Sequence, residues 1–315
     1  MKKMTSILLC VLCFSMLFVF AGCEEGNQGN NPQATPTTDP GKQDDNNTDE
    51  AFVTEDGIRF TKFDQNDTWK EDAVAITLNE TTATASGDGV TINGGVVTIT
   101  KPGDYVLSGK LTDGQIVVEV TKEEKVQLVL NGVDITCSNS AAIYVKSADK
   151  VSITLVKDTT NKVEDGLMYN FADGEDEPNA CIFSKDDLSI NGEGTLQVTG
   201  NYNNGIASKN DLKVTGGNIS ITAPNNGLKG KDSVCILKGN ITIDVDGDGI
   251  KSDNEVEKEN GYIYVYNGTI TIDAGEDGMQ AITALTIKDG TITIDAGDKQ
   301  VACKGTKKVN VQIAS

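Results

Sequence analysis

The chain has 315 residues, with 47 acidic side chains against 27 basic ones and no histidine. The missing histidine excludes a Ser-His-Asp triad, a Cys-His dyad and His-ligated zinc or haem, and a formal charge of −20 argues against nucleic acid as a partner, which requires cations to neutralise phosphates. Aromatics are 5% of the residues and glycines number 33, so the core has to come mostly from Ile, Val and Leu, as in a glycine-punctuated all-β protein.

Lys2 and Lys3 precede an apolar run from Ile7 to Phe20 that ends in Ala21, Gly22 and Cys23. A basic start, a short apolar stretch and small residues at its end describe an export signal over residues 1–22. Small residues ending in a cysteine resemble a lipobox. That resemblance implies a bacterial lipoprotein, lipidated at Cys23 and held outside the cell membrane by this anchor alone. Residues 23–50 carry three of the six prolines among Asn, Gln, Thr and Asp. Such a segment cannot bury enough surface to offset its ordering entropy, which predicts a disordered tether ahead of a domain over 51–315. Cys137, Cys181, Cys235 and Cys303 are widely spaced. Two disulfides and four free thiols both suit an exported chain. The alignment of Cys303 with Ser208 and Ser252 favours free thiols.

Internal repetition is the strongest signal of the domain. Five segments align: 194–200 (GTLQVTG), 217–223 (GNISITA), 239–245 (GNITIDV), 268–274 (GTITIDA) and 290–296 (GTITIDA). A second phrase runs in step with them, as 205–214 (GIASKNDLKV) and 227–236 (GLKGKDSVCI) illustrate. Apolar and polar residues alternate in each, the pattern of half-buried strands. Repeats of about 22 residues with three short strands each predict a parallel β-helix, every apolar row continuing the row below. The longer spacing between Ile241 and Ile270 then reads as one coil with a loop over 253–260.

Residues 101–120 (KPGDYVLSGKLTDGQIVVEV), 126–137 (VQLVLNGVDITC), 142–155 (AIYVKSADKVSITL) and 205–223 together resemble the clostridial cellulose- and acid-sugar-binding family. The resemblance runs in order from about residue 58 to the C-terminus. It implies a right-handed parallel β-helix similar to polysaccharide lyases, bound calcium, and carbohydrate binding.

Three constellations bear on chemistry. Asp244, Asp246, Asp248 and Glu255 match an EF-hand loop in spacing, but a strand precedes them where an EF-hand needs a helix. The same oxygens still suit a hard cation such as Ca2+, with Asp253 nearby, Asp277 stacked beside Asp248, and Asn226 and Asn204 below. A solvated acidic turn is the plainer alternative. Second, the turn at Ser184–Asp187 recurs at 208–211 and 230–233, aligning Asp186, Asp187, Asp211 and Asp232 beside a lysine column. Calcium-assisted polysaccharide cleavage requires such a pairing, the cation neutralising a uronate while Lys209, Lys231 or Lys251 removes the adjacent proton. Ordinary surface ion pairs would give the same pattern. Third, in Gly261–Gly268 alternation points Ile263 and Val265 inward and Tyr262, Tyr264 and Tyr266 outward. A row of rings suits the faces of sugars, although tyrosine is also simply favoured in strands.

The sequence therefore favours a cell-surface lipoprotein that binds plant-type or acidic polysaccharide, cellulosic or polygalacturonate-like, with calcium and without catalysis. A calcium-dependent polysaccharide lyase and a structural or adhesion protein on the same fold are the alternatives, since fold alone does not choose among them.

Overall fold

Backbone pairing in the domain is set by the alternation of its strands. The computed structural model describes residues 51–315 except Ala172. The export signal of residues 1–22, the lipidation at Cys23 and the tether of 23–50 lie outside the described residues. The described chain is all-β apart from one four-residue helix, Lys62–Gln65. Among the described residues no helix is long and apolar enough to cross a membrane.

Most strands pair in parallel, each with the strand three places earlier and the strand three places later, so that three ladders form. The first ladder contains Ile143–Ser147, Ala180–Ser184, Asn204–Ser208, Leu228–Gly230, Ile250–Ser252, Met279–Ala281 and Val301–Cys303. The second contains Lys150–Leu155, Asp187–Gly192, Asp211–Val214, Ser233–Ile236, Tyr262–Val265 and Ala284–Ile287. The third contains Thr160–Asp165, Thr195–Thr199, Asn218–Ala223, Asn240–Val245, Thr269–Ala274 and Thr291–Ala296. The long strands Gly103–Leu111 and Lys125–Cys137 bend across a corner and feed both the second and third ladders.

Register follows the repeats read from the sequence. Leu196, Ile219, Ile241, Ile270 and Ile292 are successive partners in the third ladder, as are Val198, Ile221, Ile243, Ile272 and Ile294. All of these are buried, whereas intervening residues such as Ser220, Thr242 and Thr271 are exposed. A one-residue slip would put every apolar side chain of a strand in water, at roughly 1.5–3 kcal/mol for each large one. Rows from the three ladders merge into one continuous aliphatic core. Ser208, Ser252 and Cys303 fall in one column of the first ladder, and the four cysteines among the described residues are free. Exposed Lys307 and Lys308 in Thr306–Val309 place charge near the C-terminal edge, where an open strand would otherwise invite pairing with another chain.

Candidate functional site

At the corner that leads into the first ladder, Asn204, Asn226, Asp248 and Asp277 stack as the repeat predicts, and all four are buried. The Asn226 side-chain amide donates to Asn204 Oδ1 at 2.7 Å, and the backbone N–H of Asp277 donates to Asp248 Oδ1 at 3.0 Å. Lys251 Nζ donates to Asp248 Oδ2 at 2.6 Å, so both oxygens of this buried carboxylate are in use. Asp244 and Asp246, by contrast, are exposed, and Asp253 pairs with Lys229 at 2.7 Å. The expected convergence of Asp244, Asp246, Asp248, Asp253 and Asp277 on one cation is therefore corrected. An EF-hand loop curls its carboxylates around a point, but a ladder holds this segment extended and turns alternate residues apart. Among the described residues no three acidic or cysteine side chains are grouped to hold a metal ion. The carboxylates that do align are Asp244, Asp273 and Asp295, exposed partners on adjacent strands of the third ladder.

The second constellation is divided among local partners. Asp186 is buried, takes the Lys122 ammonium and accepts from the backbone N–H of Ala148 at 3.0 Å. Asp187 lies 3.4 Å from Lys150. Asp211 accepts from the Ser233 hydroxyl at 2.7 Å, and Asp232 from the Asn254 amide at 2.6 Å. Lys209 is tied to Glu177 and Lys251 to Asp248. Of the three candidate bases only Lys231, which is exposed, has no ion-pair partner among the described residues.

The tyrosine row points away from the main core, as alternation requires, but it is not an open face. Tyr264 is 2% exposed, while Tyr262 and Tyr266 are half-buried. Residues 52–70 form a strap that runs along the outside of the second ladder and covers part of it. Phe60 is fully buried against Cys235 and Tyr264, and the Tyr264 hydroxyl donates to Asp56 Oδ2 at 3.1 Å. Lys288 clamps the same strap through Glu55 at 2.7 Å and Asp56 at 2.9 Å. Phe52 meets Tyr266 edge-on, with ring centroids 5.3 Å apart. The expectation of an open sugar platform fails at Tyr264 because a segment more than 200 residues away in sequence covers its strand. The loop over 253–260 only borders this region, with Lys258 and Glu259 beside Asp56 and Tyr262.

Farther along, the strap is latched by a buried charge cluster that sequence reading missed. Asp64 is fully buried, with Lys150 at 2.9 Å and Lys213 at 3.7 Å. Burial opposes its ionised form, but the two ammonium groups overcome this and hold its carboxyl below the ordinary carboxylate value. Asp187, at the rim of the cluster, is pushed upward chiefly by burial. A Thr61–Asp64 capping box fixes the short helix that delivers Asp64. Its periodicity is too brief to announce such a role.

Past this latch the strap ends in the chain's one tryptophan. Gln127, buried in the second ladder, donates to the carbonyls of Asn66 at 3.2 Å and Thr68 at 3.1 Å. Trp69, thus positioned, is 39% exposed at one end of a groove that follows the turns between the second and third ladders. The groove encloses about 650 Å³ and crosses successive turns at Gly192, Gly217, Gly239, Gly268 and Gly290. The glycine that opens each repeat was the available sequence signal for it. A third aromatic group, Tyr169, Phe171 and Tyr202, lies outside the first ladder, with Tyr169 and Tyr202 stacked at 4.2 Å.

The chain is similar to known proteins in sequence and in structure. The family model described as carbohydrate-binding domain-containing protein matches residues 93–312. A protein of that description from Acetivibrio thermocellus is 51% identical over 219 residues, covering 69% of this chain and 77% of the relative. The solved structure of a polysaccharide lyase-like protein from C. thermocellum, a gadolinium derivative, superposes with a TM-score of 0.76 at 42% identity. It covers 77% of this chain and 99% of that one. The chain belongs to the family of carbohydrate-binding domain-containing proteins.

Proposed function

We propose that the chain is a non-catalytic polysaccharide-binding lipoprotein, anchored outside the cell membrane through Cys23. Its domain is a right-handed parallel β-helix with coils of about 22 residues. Support for the coil comes from register: Ile219 pairs with Ile241 and Ile270 with Ile292, each an offset of 22. Support for the hand comes from the strong preference of parallel crossovers for right-handed connection. The ligand is plant-type or acidic polysaccharide, cellulose or a polygalacturonate-like chain.

Binding without turnover is supported by the commitment of Lys209 and Lys251 to Glu177 and Asp248, which leaves Lys231 as the candidate base to test. A base that removes a sugar proton has to reach an open face, and these two ammonium groups are held by carboxylates instead. Calcium belongs to the proposal through the family resemblance.

A glycan array run with calcium and with chelator tests the proposal, together with absorbance assays on pectic substrate. Retention of polysaccharide without unsaturated uronate product is expected. Steady product formation abolished by Lys231→Ala would make the protein a lyase. Free calcium a hundredfold above its dissociation constant should stabilise the fold by about 2.7 kcal/mol. Identical melting curves in calcium and chelator would remove the cation from the proposal.

A further inference from the structure

We infer that a neutral polysaccharide chain lies lengthwise in the glycine-floored groove, with one sugar ring stacked on Trp69. The inference rests on the carbohydrate-binding reading and assigns it a place. The groove and the hollow in front of Trp69 adjoin at Gly192 and Glu193, which line both. Five successive turns cross it, and four intervals of about 4.8 Å give a run on the order of 19 Å, long enough for several sugar rings.

Its floor is kept free of side chains by the fold itself. Gly217 has φ +94°, and a Cβ there would come 2.7 Å from Leu155 Cδ1. Gly290 has φ +120°, and a Cβ there would come 2.6 Å from the Gly268 carbonyl oxygen. A flat ring can therefore approach the backbone closely. Along one wall Asn218 and Asn240 are ladder partners, joined by an amide hydrogen bond of 2.7 Å. Neutral amides of this kind donate to and accept from hydroxyls, the groups a neutral glycan presents.

Charge selects the class of ligand. The lining carries Lys157 and Lys238 against Asp67, Glu193 and Asp289, with Lys157 paired to Glu193 at 2.7 Å. In a chain of formal charge −20 such a groove offers no attraction to a polyanion. Trp69 supplies the apolar contact. Among the described residues no other ring stacks on it, and Gln127 fixes the backbone before it, so the indole is held ready for the C–H face of a sugar.

The chain has a single tryptophan, so its fluorescence reports on this position alone. The full-length protein would be titrated with soluble β-glucan oligosaccharides and, separately, with oligogalacturonate. Saturable change in tryptophan emission with the neutral oligosaccharide is expected, along with about tenfold weaker retention on insoluble glucan for Trp69→Ala. Asn240→Leu, a surface change midway along the groove, should weaken retention severalfold while its melting curve stays native. If wild type and both folded variants retain glucan equally and the emission is unmoved, the groove is not the site, although the protein still binds carbohydrate. An emission change with oligogalacturonate alone would overturn the neutral assignment. Failure of the wild type to bind any glycan would overturn the carbohydrate reading as well.

Discussion

Tyr264 and Trp69 are both aromatic side chains outside the main core, yet they are 2% and 39% exposed. The tyrosine points outward from its strand and is then covered by Phe60 and the strap, which fills the outside of the second ladder. The tryptophan belongs to the strap and lies at its far end, over turns too rich in glycine to cover it. One segment thus closes one surface and furnishes another. Facing away from a core and facing solvent are separate properties, and in stacked ladders the second is decided by whatever crosses the outer face.

Substitutions can break this contrast at its latch. Asp64→Ala leaves Lys150 and Lys213 together in a buried site without their carboxylate, and should cost about 3–5 kcal/mol in denaturant unfolding. A loss under about 1 kcal/mol would mean that the strap is not latched there. Tyr264→Ala opens a cavity under Phe60 and should cost about 3 kcal/mol, whereas Trp69→Ala should cost under about 1 kcal/mol because its side chain is partly in water already. Equal melting temperatures for the two variants would erase the distinction between covered and open aromatic groups. Acid provides a subtler probe. With its carboxyl held below the ordinary 3.8, Asp64 stabilises the fold fully above that value and loses this contribution as pH falls through its folded pKa. Asp187, raised by burial, acts in the opposite sense, since its contribution is lost as pH rises through its folded pKa. Stability should therefore drop more steeply below about pH 4 in the wild type than in Asp64→Asn, as read by thermal melts across that range. Tyr264→Phe removes only one hydrogen bond to Asp56 and should cost about 1 kcal/mol, well below Tyr264→Ala.

Legibility in the sequence followed the range of each interaction. Strand positions, inward faces and the stacking of Asn204, Asn226, Asp248 and Asp277 could be read because a repeat aligns each residue with its neighbour about one period away. The environment of Asp248 could not, because three residues along the chain Lys251 reaches back to occupy the oxygen that a cation would need. Alternation gives the side of the strand on which Tyr262 and Tyr264 lie, while the strap that covers Tyr264 has no counterpart in the repeat. Lys150 and Lys213 sit in the repeat as ordinary outward residues, and only Asp64, which lies upstream of it, turns them into a buried cluster.

The strap's course also bears on how the domain would carry mechanical load. Its contacts begin with Phe52 and Glu55 beside Tyr266 and Lys288, and continue to Lys70, whose N–H donates to Asp104 at 3.0 Å on the strand Gly103–Leu111. A pull on residue 51 directed along the stack would stress these ion pairs and hydrogen bonds together, in shear. A pull directed away from the face would instead peel them in order, first Phe52 from Tyr266, next the pairs to Lys288 and the Asp56–Tyr264 bond, and only later Asp64. Tension of the second kind would uncover the tyrosine row before it disturbed Trp69.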